Sequence, residues 1–258
     1  MSGLDGKVAI VTGAAGAIGA AVAQRLVADG AHVVMLDRAA EQLAAAAAPL
    51  DASATTLVLD LTDPAAVETG VADLVERFGH IDVLVNNAGI LSNNKLADAG
   101  YEEWRRIFAV NVDGVMNTVF PAIDCMRTHP LVGGGRGQIA IMASLAGFHG
   151  YPGAAAYAAS KNAVRAWGES LRGELHHEGI RISVICPGFV ATPMTEGATF
   201  PQPFKLSAER AAEIVKRGLA RDRSRIAFPW PTYFAAWLGI ALPERVIDPL
   251  MRPMPKKR

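Results

Sequence analysis

Tyr157 and Lys161 form a Tyr-x-x-x-Lys pair, and Ser144 precedes the tyrosine in the same stretch of chain. On a helix the pair shares one face, one turn apart. An ammonium beside a phenol favours the phenolate, so the spacing predicts a tyrosine with a lowered pKa, useful as an acid or base near neutral pH. Ser144 closes the apolar run Gln138-Ile-Ala-Ile-Met-Ala-Ser144. That run reads as a buried strand, which places the hydroxyl at a carboxyl edge, where open α/β sheets bind ligands. Hydroxyl, phenol and ammonium then converge on one oxygen. The tyrosine–lysine pair alone is common on helices, so its meaning depends on the elements that hold it.

Those elements begin at the N-terminus. Lys7-Val-Ala-Ile-Val-Thr12 reads as an apolar strand, followed by Gly13-Ala-Ala-Gly-Ala-Ile-Gly19 and a helix-like run from Ala20 to Val27. Strand, glycine turn and helix start make a phosphate cradle. Glycine lets backbone approach a pyrophosphate, and the helix start supplies free N–H groups and the positive dipole end. Gly13, Gly16, Ala17 and Ile18 are therefore candidate cofactor contacts. A second strand, His32-Val-Val-Met-Leu36, ends in Asp37. Its distance beyond Gly19 is close to the spacing expected of a ribose-binding carboxylate.

With these residues in place, the chain resembles the classical branch of the short-chain dehydrogenase/reductase family over roughly residues 5–192. The likeness rests on Thr12-Gly13, Asp37, Asp60-Leu61, Asn86-Asn-Ala-Gly89, Asn111, Ser144, Tyr157, Lys161 and Pro187-Gly188. It implies an NAD(P)-dependent oxidoreductase with a Rossmann-like sheet. The reaction expected is interconversion of a secondary alcohol and a ketone. Tyr157 exchanges the hydroxyl proton while Ser144 holds the same oxygen. The resemblance further implies that Lys161 binds the nicotinamide ribose and that Asn111 holds a water linking the lysine to solvent. Likewise, Asp60 and Leu61 edge the adenine, and Asn87, Ala88 and Gly89 line the adenosine side. Pro187, Gly188, Val190 and Thr192 hold the nicotinamide end.

One position departs from the family pattern. Ala17 stands where the classical branch has its middle glycine, and Gly13, Gly16 and Gly19 have the spacing of the extended branch. That branch, with its nucleotide-sugar epimerases and dehydratases, is the alternative reading. It needs a large C-terminal substrate domain, whereas only the short stretch 193–258 follows Thr192. A non-catalytic dinucleotide-binding protein is a third reading, but it has no use for the full Asn111/Ser144/Tyr157/Lys161 set. NAD is expected over NADP, because the Asp37 carboxylate accepts ribose hydroxyls and repels a 2′-phosphate. Gly16 stands where NADP-preferring relatives often carry a basic residue. Arg38 is the counter-signal, since its guanidinium could meet a phosphate.

The 258 residues carry no net formal charge, which argues against a nucleic-acid binder. Two cysteines, Cys125 and Cys186, offer neither a disulfide framework nor metal-ligand spacing, so no metal is expected and a reducing, cytoplasmic setting is the default. Strand-like and helix-like segments alternate up to about residue 190, predicting an α/β fold with a doubly wound parallel sheet in one domain. Helices are expected at 39–48, stopped by Pro49, at 64–78, at 101–126 with Pro121 as a kink, at 153–177 and at 207–221. Residues 1–225 form the catalytic domain, with a substrate loop at 189–206, and 226–258 an apolar extension of it.

Leu145, Phe148, Tyr151, Phe189 and Met194 are the candidate substrate contacts. All are apolar or aromatic, and no clustered Arg or Lys stands by to grip a phosphate or carboxylate. An apolar small molecule is expected: steroid-like, terpenoid, aromatic or long-chain. The stretch 226–242 is apolar and aromatic, yet Pro229 and Pro231 make it a poor membrane span. It reads as a last core strand plus an interface helix of a homodimer or homotetramer, with peripheral contact to a membrane as the other reading.

Overall fold

The computed structural model describes residues 4–91, 96–131, 135–150, 153–196 and 201–251. In chain order the elements are β1 (Val8–Thr12), α1 (Ala17–Ala28), β2 (His32–Asp37), α2 (Ala40–Ala47), β3 (Ala54–Val58), α3 (Pro64–Phe78), β4 (Val83–Asn86) and α4 (Leu96–Phe108). They continue with α5 (Gly114–Thr128), β5 (Gly137–Met142), α6 (Ala155–Leu175), β6 (Ile180–Pro187), α7 (Ala208–Ala220), β7 (Arg225–Phe228), α8 (Trp230–Ala241) and α9 (Glu244–Met251). Seven strands pair in the order β3-β2-β1-β4-β5-β6-β7, and every pairing is parallel. Strand order reverses beside β1, which has β2 on one side and β4 on the other. This is a Rossmann-like, doubly wound α/β domain.

Alternation along the strands builds two cores. Val8, Ile10, Leu84, Ile139 and Ile141 face α3, α5 and α6 through Val71, Val115, Val119 and Val164. Ala9, Val11, Met35, Val85 and Ala140 face α1 and α7 through Val22, Leu26, Ala211 and Val215. Strands buried on both faces read as near-continuous apolar runs, hence β1's unbroken burial. The carboxyl ends of β1, β2, β4, β5 and β6 bring Thr12, Asp37, Asn86, Met142 and Pro187 to one edge.

Local signals explain several boundaries. Asp63 caps α3 by accepting from the Ala66 N–H at 3.1 Å, with Pro64 following, and Gly79 ends the helix in the left-handed region. Ser207 caps α7 through the Arg210 N–H. The helix expected at 101–126 is not continuous. Regular α geometry breaks at Ala109–Asp113, a π-helical segment between α4 and α5, while Pro121 lies inside α5. A π segment inserts an extra residue into a turn, which amphipathic spacing does not announce, and such segments recur at functional sites. Pro49 ends α2 as expected, but the chain runs on as a 3₁₀ turn over Ala48–Ser53. The apolar stretch 226–242 enters as the end strand β7 and then α8.

Candidate active site

A cleft of about 380 Å³ runs along the carboxyl edge. At one end lies the loop between β1 and α1. Gly13 has φ +64°, and a Cβ there would sit 2.8 Å from Ala88 Cα. Gly19 has no room for a side chain against the Gly13 carbonyl. Glycine is thus required at 13 and 19 for sterics, whereas Ala17 is simply the first residue of α1. Gly16 precedes it in extended backbone. Neither a side-chain cap nor an acidic residue occupies the first turn, so the helix N-terminus faces the cleft with its N–H groups available to an anion.

Thr12 holds this loop in place. Its hydroxyl accepts from the Asn87 and Ala88 amides at 3.0 and 3.1 Å and donates to Asn86 Oδ1 at 3.3 Å. Asn87 Nδ2 donates to the Thr12 and Gly13 carbonyls at 3.1 and 3.2 Å. Asn86 in turn reaches Thr118 on α5. Asp37 lies at the end of β2, where Oδ2 accepts from Ala15 N and Oδ1 from Ala39 N, each at 3.1 Å. Its carboxylate therefore shapes the glycine loop as well as facing the cleft. Arg38, Asp60 and Leu61 line the same end. Hydrogen bonds from the Thr62 amide and hydroxyl hold the Asp60 carboxyl below its ordinary pKa.

Ser144, Tyr157 and Lys161 line the same cleft, as do Pro187, Gly188, Val190, Thr192 and Met194. Strand β5 stops at Met142, just short of Ser144, which instead caps a 3₁₀ turn over Leu145–Gly147. Its Oγ accepts from Ala146 N at 3.1 Å. Lys161 is 3% exposed and donates from Nζ to the Met142 carbonyl at 2.8 Å. The backbone of Gly89 abuts it, since a Cβ there would be 3.0 Å from Nζ. Asn111, buried in the π segment, latches three elements. Oδ1 accepts from Ile90 N at 2.7 Å, and Nδ2 donates to Ile90 O at 2.9 Å and to Ser160 Oγ at 3.0 Å. Its amide hydrogens are thus engaged by protein groups rather than directed at the cleft.

The electrostatics correct one expectation. Burial pushes the Tyr157 phenol above its ordinary pKa, and the hydrogen bond from Ser144 partly draws it back. Lys161 Nζ lies 5.9 Å from the ring centroid and donates to the Met142 carbonyl. Burial also depresses Lys161, to about 8. Below pH 8 the folded protein keeps a buried ammonium and bears its full desolvation cost. From about 8 to 10.5 the unfolded chain stays protonated while the folded one does not, so stability rises with pH across that window. Lys161→Met is therefore expected to be no less stable than wild type at neutral pH, with any advantage shrinking as pH passes 8. Denaturant titrations of the cofactor-free proteins at several pH values check this, and a constant difference would contradict it.

Of the expected substrate contacts among the described residues, only Met194 lines the cleft. Leu145 and Phe148 are 6% and 5% exposed and belong to the core, because the turn after Ser144 folds them inward. Phe189 is half-buried and does not line the cleft. Tyr151 lies outside the described residues. Sequence reading missed Thr12 as a hub and Ile90 as the partner of Asn111. The hub had a signal, a hydroxyl closing an apolar strand, but the latch to a backbone amide had none. Among the described residues no group of His, Cys, Asp or Glu could hold a metal ion.

Fold and site together define a dinucleotide-binding oxidoreductase. A glycine loop too tight for a Cβ, an uncapped helix start and an acid ending β2 fit the pyrophosphate and ribose of a nicotinamide dinucleotide. Residues 7–201 match the short chain dehydrogenase family, and the chain belongs to it. It is 40% identical over 218 residues to a 3-alpha-(or 20-beta)-hydroxysteroid dehydrogenase of Mycobacterium tuberculosis, covering 84% of this chain and 81% of that one. It is 38% identical over 229 residues to the 1-deoxy-11-beta-hydroxypentalenate dehydrogenase of Streptomyces avermitilis, covering 85% and 83%. An uncharacterized oxidoreductase of Staphylococcus epidermidis is 34% identical over 221 residues, covering 86% and 94%.

Proposed function

We propose that this oxidoreductase interconverts a secondary alcohol and a ketone on an apolar small molecule, with NAD as the preferred cofactor. The observation that carries the reading is the convergence of Ser144, Tyr157 and Lys161 at one end of a cleft whose other end is a phosphate cradle. The relatives named for hydroxysteroid and hydroxypentalenate substrates favour a polycyclic or terpenoid alcohol. Met194 and Val190 on the cleft wall suit such a ligand.

When bound, the nicotinamide supplies the two-electron exchange with the carbinol carbon. The protein's own part is proton handling and positioning. Ser144 donates a hydrogen bond to the reacting oxygen. Tyr157 gives that oxygen a proton in reduction and removes one in oxidation. Lys161 supplies positive charge behind the tyrosine once its bond to Met142 is exchanged for a ligand hydroxyl, and Asn111 fixes the helix turn that carries both. A phenol raised by burial is protonated at neutral pH, ready as an acid. Alcohol oxidation is therefore expected to quicken as pH rises, while ketone reduction does not. Initial rates in both directions across pH check the sign.

A panel of apolar secondary alcohols and ketones, followed by cofactor absorbance with each nicotinamide, tests the whole reading. No turnover with any pair would count against it. Cofactor preference rests on Asp37. Changing it to Ser is expected to weaken NAD and improve NADP, because repulsion is removed and Arg38 is freed to meet the phosphate. The ratio of kcat/KM for the two cofactors reads the effect. A wild type that already prefers NADP would refute the assignment.

The exposed face of α8 supports assembly. Trp230, Phe234 and Trp237 stack in a row, and all three are exposed. A patch of this kind calls for a cover, and a second subunit is the reading we adopt. No helix among the described residues is long and apolar enough to cross a membrane. Peripheral lipid contact through the same face is the competing cover.

A further inference from the structure

Behind the Ser144 turn lies a cluster that the reaction does not use directly. The ring of Phe148 is flanked by two guanidiniums, with Arg165 Cζ 4.7 Å and Arg225 Cζ 5.4 Å from its centroid. Tyr233 meets the same ring edge-on at 5.7 Å. Two like charges against one buried ring need a counter-ion, and Glu169 on α6 serves both. It accepts from Arg165 Nη1 at 3.2 and 3.1 Å, and its Oε1 accepts from Arg225 Nε at 3.1 Å and Nη2 at 2.5 Å.

The cluster is tied to the catalytic turn on one side and to α8 on the other. Arg165 Nε donates to the Gly147 carbonyl at 3.2 Å, inside the turn that Ser144 caps. That turn rests on α6 without clearance: a Cβ on Gly147 would sit 2.7 Å from the Lys161 carbonyl carbon. Arg225 opens β7, and its Nη1 donates to the Tyr233 hydroxyl on α8 at 3.2 Å. A continuous chain of bonds and ring contacts therefore runs from Ser144 through Gly147, Arg165, Glu169 and Arg225 to Tyr233.

We propose that Glu169 is a positioning residue: by holding Arg165 and Arg225 on Phe148, it fixes the Ser144 hydroxyl and couples that hydroxyl to the packing of α8. Its loss leaves two guanidiniums repelling one another across Phe148, and Arg165 no longer holds Gly147. The turn then relaxes, and Ser144 moves relative to Tyr157. A misplacement of about 1 Å costs up to about a hundredfold in rate when a reacting oxygen must be held.

The proposal rests on the catalytic reading for its rate effect, so the experiment has an arm that needs no turnover. The Ser144 hydroxyl draws the Tyr157 phenol downward against the effect of burial, and the titration of Tyr157 therefore reports where Ser144 stands. Cofactor-free protein labelled with fluorotyrosine is titrated by fluorine NMR, with Tyr157→Phe assigning the resonance and Ser144→Ala giving the shift for a lost bond. Glu169→Gln is expected to move the Tyr157 titration upward, in the direction of Ser144→Ala. Tyr233→Phe, which removes only one hydroxyl, is expected to do so to a smaller degree and guards against a variant that fails to fold. In steady state with an alcohol from the panel, Glu169→Gln is expected to lower kcat about tenfold or more while KM for NAD stays near wild type. Folded Glu169→Gln and Tyr233→Phe proteins with the wild-type Tyr157 titration would overturn the proposal. A shifted titration in an enzyme that turns over none of the panel would sustain the clamp and sink the assigned reaction.

Discussion

Tyr157→Phe is expected to lower kcat by about 10²–10⁴-fold and to leave NAD binding and thermal stability close to wild type. The substitution removes one oxygen and keeps the ring that packs between α6 and the cleft. In the proposed binding mode a dinucleotide is held by the glycine loop, Asp37, the backbone of residues 87–89 and Lys161, and none of these leans on the phenol hydroxyl. Lys161 donates to the Met142 carbonyl, so its placement does not depend on the tyrosine either. A buried hydroxyl pushed above its ordinary pKa is an unfavourable place for charge, and its loss also spares the fold any cost of ionisation. The measurements are kcat with a panel alcohol, NAD titration by intrinsic fluorescence, and a melting curve. Retention of more than a few per cent of wild-type kcat would remove Tyr157 from its role. A large fall in NAD affinity would show instead that the phenol is a binding group.

The contrast between what the chain announces and what it conceals follows the range of the forces involved. Apolar strands, the glycines at 13 and 19, the cap at Asp63 and the acid after β2 are local, and each is legible because sterics or a hydrogen bond within a few residues dictates the residue type. The set Asn111, Ser144, Tyr157 and Lys161 is legible as a pattern, and the fold brings Ser144, Tyr157 and Lys161 to one cleft. Concealed features depend on distant partners. The direction of the Tyr157 shift is decided by how much protein surrounds the phenol, which the Tyr-x-x-x-Lys spacing does not reveal. Phe148 reads as a pocket wall because it follows Ser144 closely. The inward 3₁₀ turn gives it instead to Arg165 and Arg225, the second of which lies far downstream on β7. The π segment at Ala109–Asp113 is invisible because it preserves helical spacing on either side.

Truncation before Arg225 is expected to yield an insoluble or inactive protein. Strand β7 is not an appendage: it pairs with β6 from Val184 to Pro187, and Ile226 and Phe228 are 3% and 4% exposed. Ile226 packs directly on Gly218 of α7, where a Cβ would collide with it. Ile247 of α9 is also buried, at 5% exposure. Burial of three such side chains contributes roughly 5–9 kcal/mol at about 1.5–3 kcal/mol each, comparable with the ~5–15 kcal/mol that keeps a domain folded. The cut also removes Arg225 and Tyr233, leaving Glu169 with Arg165 alone and Phe148 without two of its three ring contacts. Opposing this loss, the cut removes Trp230, Phe234 and Trp237, whose exposure by itself favours aggregation. The two effects separate in a full-length protein carrying Trp230→Gln, Phe234→Gln and Trp237→Gln. That variant keeps β7 and the clamp, so it is expected to stay folded and to shift toward monomer by light scattering. If wild type co-sediments with anionic vesicles and the triple variant does not, while both share one assembly state, lipid rather than a second subunit covers α8. A truncated chain that stays soluble, melts cooperatively and turns over the panel substrates would show that β7 and all that follows it are dispensable, against every contact just described.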